Sequence, residues 1–142
     1  LDGRVLVFAG ESGAGKSTLA DLFVRHGVGT ILSDDRLVVR PDGDGFRVWG
    51  TPWHGEARFA EPGSGRLAGI HFLRHARKTR STRLSPGEAG LRLASACFQA
   101  GWPREGLAHL LDFSARLAEA VPCHELAFKP DPSVFEVLQI RE

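Results

Sequence analysis

The run "RVLVFAGESGAGKSTLADLFVRHG" (Arg4 to Gly27) constrains this chain more than any other stretch. Its first part is apolar and rich in β-branched residues and ends at Gly10, which reads as a central parallel strand. Its last part places Leu19, Leu22 and Phe23 at helical spacing, with Gly27 as the stop signal. Between them "GESGAGKST" (Gly10 to Thr18) fits G-x-x-x-x-G-K-[ST] in the strand–loop–helix context that this pattern requires. Glycines there let the backbone wrap so that successive N–H groups point inward at an anion, backed by a helix N-terminus. Gly10, Glu11, Ser12, Gly13, Ala14, Gly15, Lys16, Ser17 and Thr18 are therefore expected to bind nucleotide phosphates. Lys16 would reach the outer phosphates and the Ser17 hydroxyl would ligate Mg²⁺. The competing account is a glycine-rich turn with a solvated lysine, and motif and context together outweigh it.

The next stretch, "ILSDDRLVV" (Ile31 to Val39), carries two adjacent carboxylates between apolar runs. "VGTILS" (Val28 to Ser33) reads as a second strand lying beside the first. Its C-terminal end would face the crevice of the glycine-rich loop, where open α/β sheets bind ligands. Asp34 and Asp35 would then arrive at the metal and the outer phosphate. Successive strand side chains point to opposite faces, so the pair can divide its work. One carboxylate holds Mg²⁺, and the other takes the proton from an attacking hydroxyl. A solvated turn pair is the plainer alternative, which the apolar flanks disfavour.

Further along, "RLVVRPDGDGFRVWG" shows apolar runs on both sides of a turn, a hairpin pattern. "TPWHGEARFAEPGSGR" (Thr51 to Arg66) reads as loop, "LAGIHFLRH" as a strand and "ARKTRSTR" as a basic connection. Ser85, Pro86 and Glu88 suit the N-cap, N1 and N3 positions of a helix, as a capping box does. A long amphipathic helix begun by Pro103 follows, then a strand "HELAFKP" and a short helix begun by Asp131 and Pro132. The order predicts one α/β domain over residues 1–142: a P-loop nucleotide-binding domain with a mixed sheet.

Bulk properties narrow the function. The net charge of +1 calls for neither nucleic acid nor an anionic membrane surface. Apolar runs are too short to span a bilayer. Cys97 and Cys123 make neither a zinc site nor a disulfide framework, which predicts a reducing, cytoplasmic setting. The chain has no Met and opens at Leu1 on a turn into a strand, so further residues are expected upstream.

Residues Gly10 to Val39 resemble the kinase domain of HPr kinase/phosphorylase, whose fold is that of phosphoenolpyruvate carboxykinase. In that family a G-x-S-G-x-G-K-S loop, a short helix, a glycine-containing turn and an A-D-D-R-like strand end follow in this order. The remainder, with "GTPWHGEARFA", "LSPGEA" and "FKPDPSV", is similar to shorter bacterial proteins described as HPr-kinase-like or serine-kinase-like. The resemblance implies an ATP- and Mg²⁺-dependent kinase that phosphorylates a serine-like hydroxyl on a small protein, a peptide or a small molecule. It assigns nucleotide phosphates to Gly10 to Thr18, and metal and general-base duties to the acid pair. By the family's pattern Asp34 is the base and Asp35 the metal partner, though the residues alone would support the reverse. Two departures matter: a family histidine one strand before the loop would fall upstream of Leu1, and the hexamer-forming N-terminal domain is absent. The second puts HPr itself in doubt as substrate and leaves homo-oligomerisation open.

Weaker features carry alternatives. "GTPWHGE" gathers Trp53, His54 and Glu56, either as a loop presenting substrate with His54 as proton relay, or as a surface turn with Trp53 packed down. His75, Arg77, Lys78, Arg80 and Arg83 could meet phosphate or an acidic substrate, although such runs are more often solvated. His71 and His75, four apart on a strand, read as structural, and Lys129 could reach the site from the last strand. A small-molecule kinase of adenylylsulfate- or shikimate-kinase type also has such a loop and an acid after the second strand. It would continue into a helix rather than turn back through "RPDGDG". A non-catalytic ATP sensor is the rival outside enzymes, whereas a GTPase is disfavoured because a chain with no Asn cannot carry N-K-x-D.

Overall fold

A computed structural model describes residues 3–97 and 104–140. Ten elements follow in order: β1 (Arg4–Ala9), α1 (Lys16–Arg25), β2 (Leu37–Asp42), β3 (Gly45–Gly50), β4 (Ser64–His75), β5 (Arg80–Arg83), α2 (Pro86–Ala96), α3 (Arg104–Ala120), β6 (Cys123–Phe128) and α4 (Ser133–Val137). The six strands form one mixed sheet. Strand β4, apolar on both faces as a central strand must be, runs parallel to β1 and to β6. At Arg66 it meets β1 on one edge and antiparallel β3 on the other. Strands β2 and β5 pair antiparallel with β3 and β6.

Period-two alternation divides the core. Ile70, Phe72 and Cys123 join Ala89 and Leu93 of α2 and Leu117 of α3 on one face. Leu73, Leu126 and Phe128 join Leu19, Leu22 and Phe23 of α1 and Phe135 of α4 on the other. Leu67 breaks the alternation by siding with Ile70, and the β1–β4 register shifts between Val5 and Leu6 at that level. A sheet covered by helices on both faces results.

Helix ends follow the expected chemistry. At the end of α1, Gly27 sits at φ 63°, and the N–H groups of Val28 and Gly27 bond to Phe23 O (2.9 Å) and Val24 O (3.1 Å). That pair of bonds needs a left-handed residue after the cap, where glycine carries no Cβ penalty. Ser85 Oγ accepts from Glu88 N at 3.3 Å, but the reciprocal half of the expected capping box does not form, because the Glu88 carboxylate goes to Arg92 at 2.7 Å. Pro103, expected to open α3, lies outside the described residues.

Three expectations fail. Strand β1 is not central, since β4 is its one partner among the described residues. Residues 28–33 form no strand beside β1, and their ladder consists of one isolated bridge, Ser33 to Ala60. Gly27 and Gly29 both take positive φ, 63° and 66°, and bend the chain on either side of Val28. The segment then bonds sideways to the loop before β4: Glu61 N to Leu32 O at 3.0 Å and Asp34 N to Phe59 O at 3.3 Å. The "ARKTRSTR" connection is half strand, since Arg80–Arg83 pairs with β6 and leaves all four side chains exposed.

Candidate functional site

Parallel strands deliver their C-terminal ends to one side of the sheet, so the loop after β1 lies beside the ends of β4 and β6. In that loop Gly13 and Gly15 take φ of 84° and 101°, values open to glycine and strained for other residues. Gly15 is the N-cap of α1 and provides no side-chain cap. The N–H groups of the first helical turn, at Lys16, Ser17 and Thr18, have no intrahelical acceptor by the geometry of a helix start. They carry the positive end of the helix dipole. Lys16 folds back over the loop, its Nζ donating to Gly10 O (2.7 Å) and Glu11 O (2.9 Å). Uncapped donors and a cation whose partners here are carbonyls suit a phosphate-bearing ligand.

A cleft of about 160 Å³ opens between β1, α1 and residues 28–37, and Lys16, Asp34 and Asp35 all line it. Its other walls are Arg4 to Phe8 of β1 and apolar residues of α1, whereas Gly10 to Gly15, Ser17 and Thr18 do not line it. The neighbouring carboxylates differ in their surroundings. Asp34 is half-buried and accepts two backbone donors, Gly55 N on Oδ1 and Ala57 N on Oδ2, both at 2.8 Å. Asp35 is more open, with Arg36 Nε 3.5 Å from its Oδ2.

The loop from Thr51 to Glu61 is thereby fastened to the acid pair. Thr51 Oγ1 donates to Arg36 O at 2.7 Å, and Ser33 Oγ donates to Trp53 O at 3.2 Å. A Cβ on Gly55 would lie 3.0 Å from Asp34 Oδ2, so the loop approaches the carboxylate closely. Trp53 is 60% exposed, which rules out a side chain packed down as an anchor. His54 is exposed, with Nδ1 3.1 Å from Gly55 O. It does not line the cleft. The structure brings His54 near the aspartates through backbone, not through its imidazole.

Other candidates sort themselves by their partners. Lys129 Nζ pairs with Asp131 at 2.8 Å. Arg77, Lys78 and Arg80 are exposed, as a solvated connection would be. His71 is buried, stacked between Phe8 and His124. His75 is the residue that sequence reasoning undervalued: its Nε2 lies 2.8 Å from Gly13 O in the glycine-rich loop. The signal for it was its place as the last residue of a strand parallel to β1.

Among the described residues no group of three or more His, Cys, Asp or Glu side chains could hold a metal ion. Of the two oxygen donors expected to hold Mg²⁺, Asp35 lines the cleft, whereas Ser17 is exposed at the start of α1 and does not. Comparison of the chain with known protein families, with curated proteins and with solved structures found no match.

Proposed function

We propose that the chain is an ATP- and Mg²⁺-dependent phosphotransferase with a P-loop, acting on a hydroxyl of a peptide, a small protein or a small molecule. The observation that carries this is that Lys16, in the uncapped first turn of α1, lines the same cleft as Asp34 and Asp35. The loop from Gly10 to Gly15 and the first turn of α1 hold the nucleotide phosphates by their N–H groups, with Lys16 swinging from the carbonyls to the anion. Ser17 and Asp35 would hold Mg²⁺, which when bound offsets charge on the transferring phosphoryl group. Asp34 takes the proton of the acceptor hydroxyl while that oxygen bonds to the γ-phosphorus and ADP leaves with the bridging oxygen. Each Asp34 oxygen already accepts one N–H but keeps a second lone pair for that purpose. The hairpin of β2 and β3, which begins at Leu37 directly after the acids, favours a carboxykinase-like arrangement over small-molecule kinases that continue into a helix.

Calorimetry tests the first step. Lys16→Ala is expected to weaken Mg·ATP binding 10-fold or more, about 1.4 kcal/mol. Equal affinity for the two proteins would remove the nucleotide site. A wild-type chain that binds Mg·ATP but transfers phosphate to no hydroxyl, and hydrolyses none, would be the non-catalytic sensor instead.

A further inference from the structure

A loop that cradles an anion turns N–H groups inward, and each peptide that does so turns its carbonyl outward. Those carbonyls need donors of their own, or the loop is free to flip them toward the ligand. Lys16 takes the carbonyls of Gly10 and Glu11. Gly13 O is met by His75 Nε2 at 2.8 Å. A carbonyl only accepts, so Nε2 carries the hydrogen and donates it.

The imidazole is well placed for this. His75 closes β4 in register with Phe128, the last residue of β6, and the two rings stack at 5.8 Å and 26°. Phe128 is fully buried, and Ala76 N bonds to its carbonyl at 3.0 Å, so the ring pair is fixed to the sheet. The same pair presses on the loop at a second point. A Cβ at Gly15 would lie 2.7 Å from the Phe128 ring and 3.0 Å from His75 Cε1.

We propose that His75 is a positioning residue: by holding the Gly13 carbonyl outward, it sets the anion-ready shape of the glycine-rich loop before a ligand arrives. The inference rests on the nucleotide reading for its consequence, and on loop geometry alone for its premise. Two substitutions separate its two contacts. His75→Phe keeps a ring on Phe128 and removes the donor, whereas His75→Gln keeps an N–H donor and removes the ring.

Calorimetric Mg·ATP binding should weaken by about 3- to 10-fold in His75→Phe, the usual net worth of one hydrogen bond. His75→Gln should stay near wild type. Wild-type affinity in His75→Phe overturns the proposal, and so does an equal loss in both variants, which would assign the effect to ring packing. If wild type itself binds no Mg·ATP, the nucleotide reading falls, and amide hydrogen exchange of residues 13–15 in the ligand-free protein decides the proposal alone. Faster exchange in His75→Phe than in wild type and His75→Gln upholds it, and equal exchange overturns it.

Discussion

Asp34 and Asp35 are adjacent in sequence and different in circumstance. Asp34 holds the backbone of the loop at Gly55 and Ala57, and Asp35 faces the cleft with Arg36 beside it. Their neutral replacements should therefore fail differently. Asp34→Asn puts an amide NH₂ against one of two N–H donors, leaving a half-buried donor unmet at a cost of about 1–3 kcal/mol. Its melting temperature should drop by roughly 3–8 °C, and phosphate transfer should fall by roughly 10²–10⁴-fold if it is the base. Asp35→Asn should melt like wild type and show a raised Mg²⁺ requirement that excess metal partly restores. Thermal melts and transfer rates against Mg²⁺ concentration decide the assignment, and wild-type transfer in both variants would end the kinase proposal. At this scale the sequence was legible where the backbone demands a residue type, as with Gly13 and Gly15 at their positive φ. It was not legible for Asp34, because its partners are backbone N–H groups more than 20 residues away, and a backbone N–H leaves no mark in a sequence.

Among the elements, those whose signals are local came out as read. The helix stop at Gly27, the Ser85 cap and the β2–β3 hairpin each depend on a few neighbouring residues. Residues 28–33 have the composition of a buried strand, yet the turns at Gly27 and Gly29 direct them to the loop at 59–61. Val28 and Ile31 still join the core packed on α1, so their hydrophobicity reports burial and not pairing. Strand β5 was hidden for the opposite reason, because an edge strand with four exposed side chains shows no apolar alternation. The loop from Thr51 to Glu61 is an element in its own right, closed by five hydrogen bonds to residues 33–36. If it presents the acceptor with His54 as relay, His54→Ala should lower turnover by at least about 10-fold. Mg·ATP affinity and melting temperature should stay at wild-type values. A variant that is less stable but fully active would make the loop structural.

For the whole molecule, one row of side chains crosses four strands in register: Phe8 on β1, His71 on β4, His124 on β6 and Arg83 on β5. The Nδ1 atoms of His71 and His124 are buried without hydrogen-bond partners. Burial, aided by the charge of His124, pulls His71 from the usual 6.5 down to about 4. Burial and then Arg83 lower His124 as well. Above pH 6.5 folded and unfolded chains both keep His71 neutral, and its contribution to stability is whole. As pH falls from 6.5 towards 4 the unfolded chain takes up a proton that the folded one refuses, so stability drops, by about 3 kcal/mol in all. Glu125, held below the usual range chiefly by Arg74, and Asp131, brought to about 2 chiefly by Lys129, act lower on the scale. Urea midpoints measured from pH 7 to 5 should fall in wild type and fall markedly less in His71→Phe, with identical slopes counting against the assignment. Arg83 belongs to a second pattern. It and Arg80 stand at the two ends of β5, the outermost strand on that side of the sheet. Two molecules meeting along this edge in antiparallel fashion would bring guanidinium groups against guanidinium groups. Such a charged border discourages the sheet from growing into a neighbour, as natural edge strands commonly do. Self-association of this chain is thereby steered away from strand addition at β5, and a fibril seeded there would first have to lose its arginines.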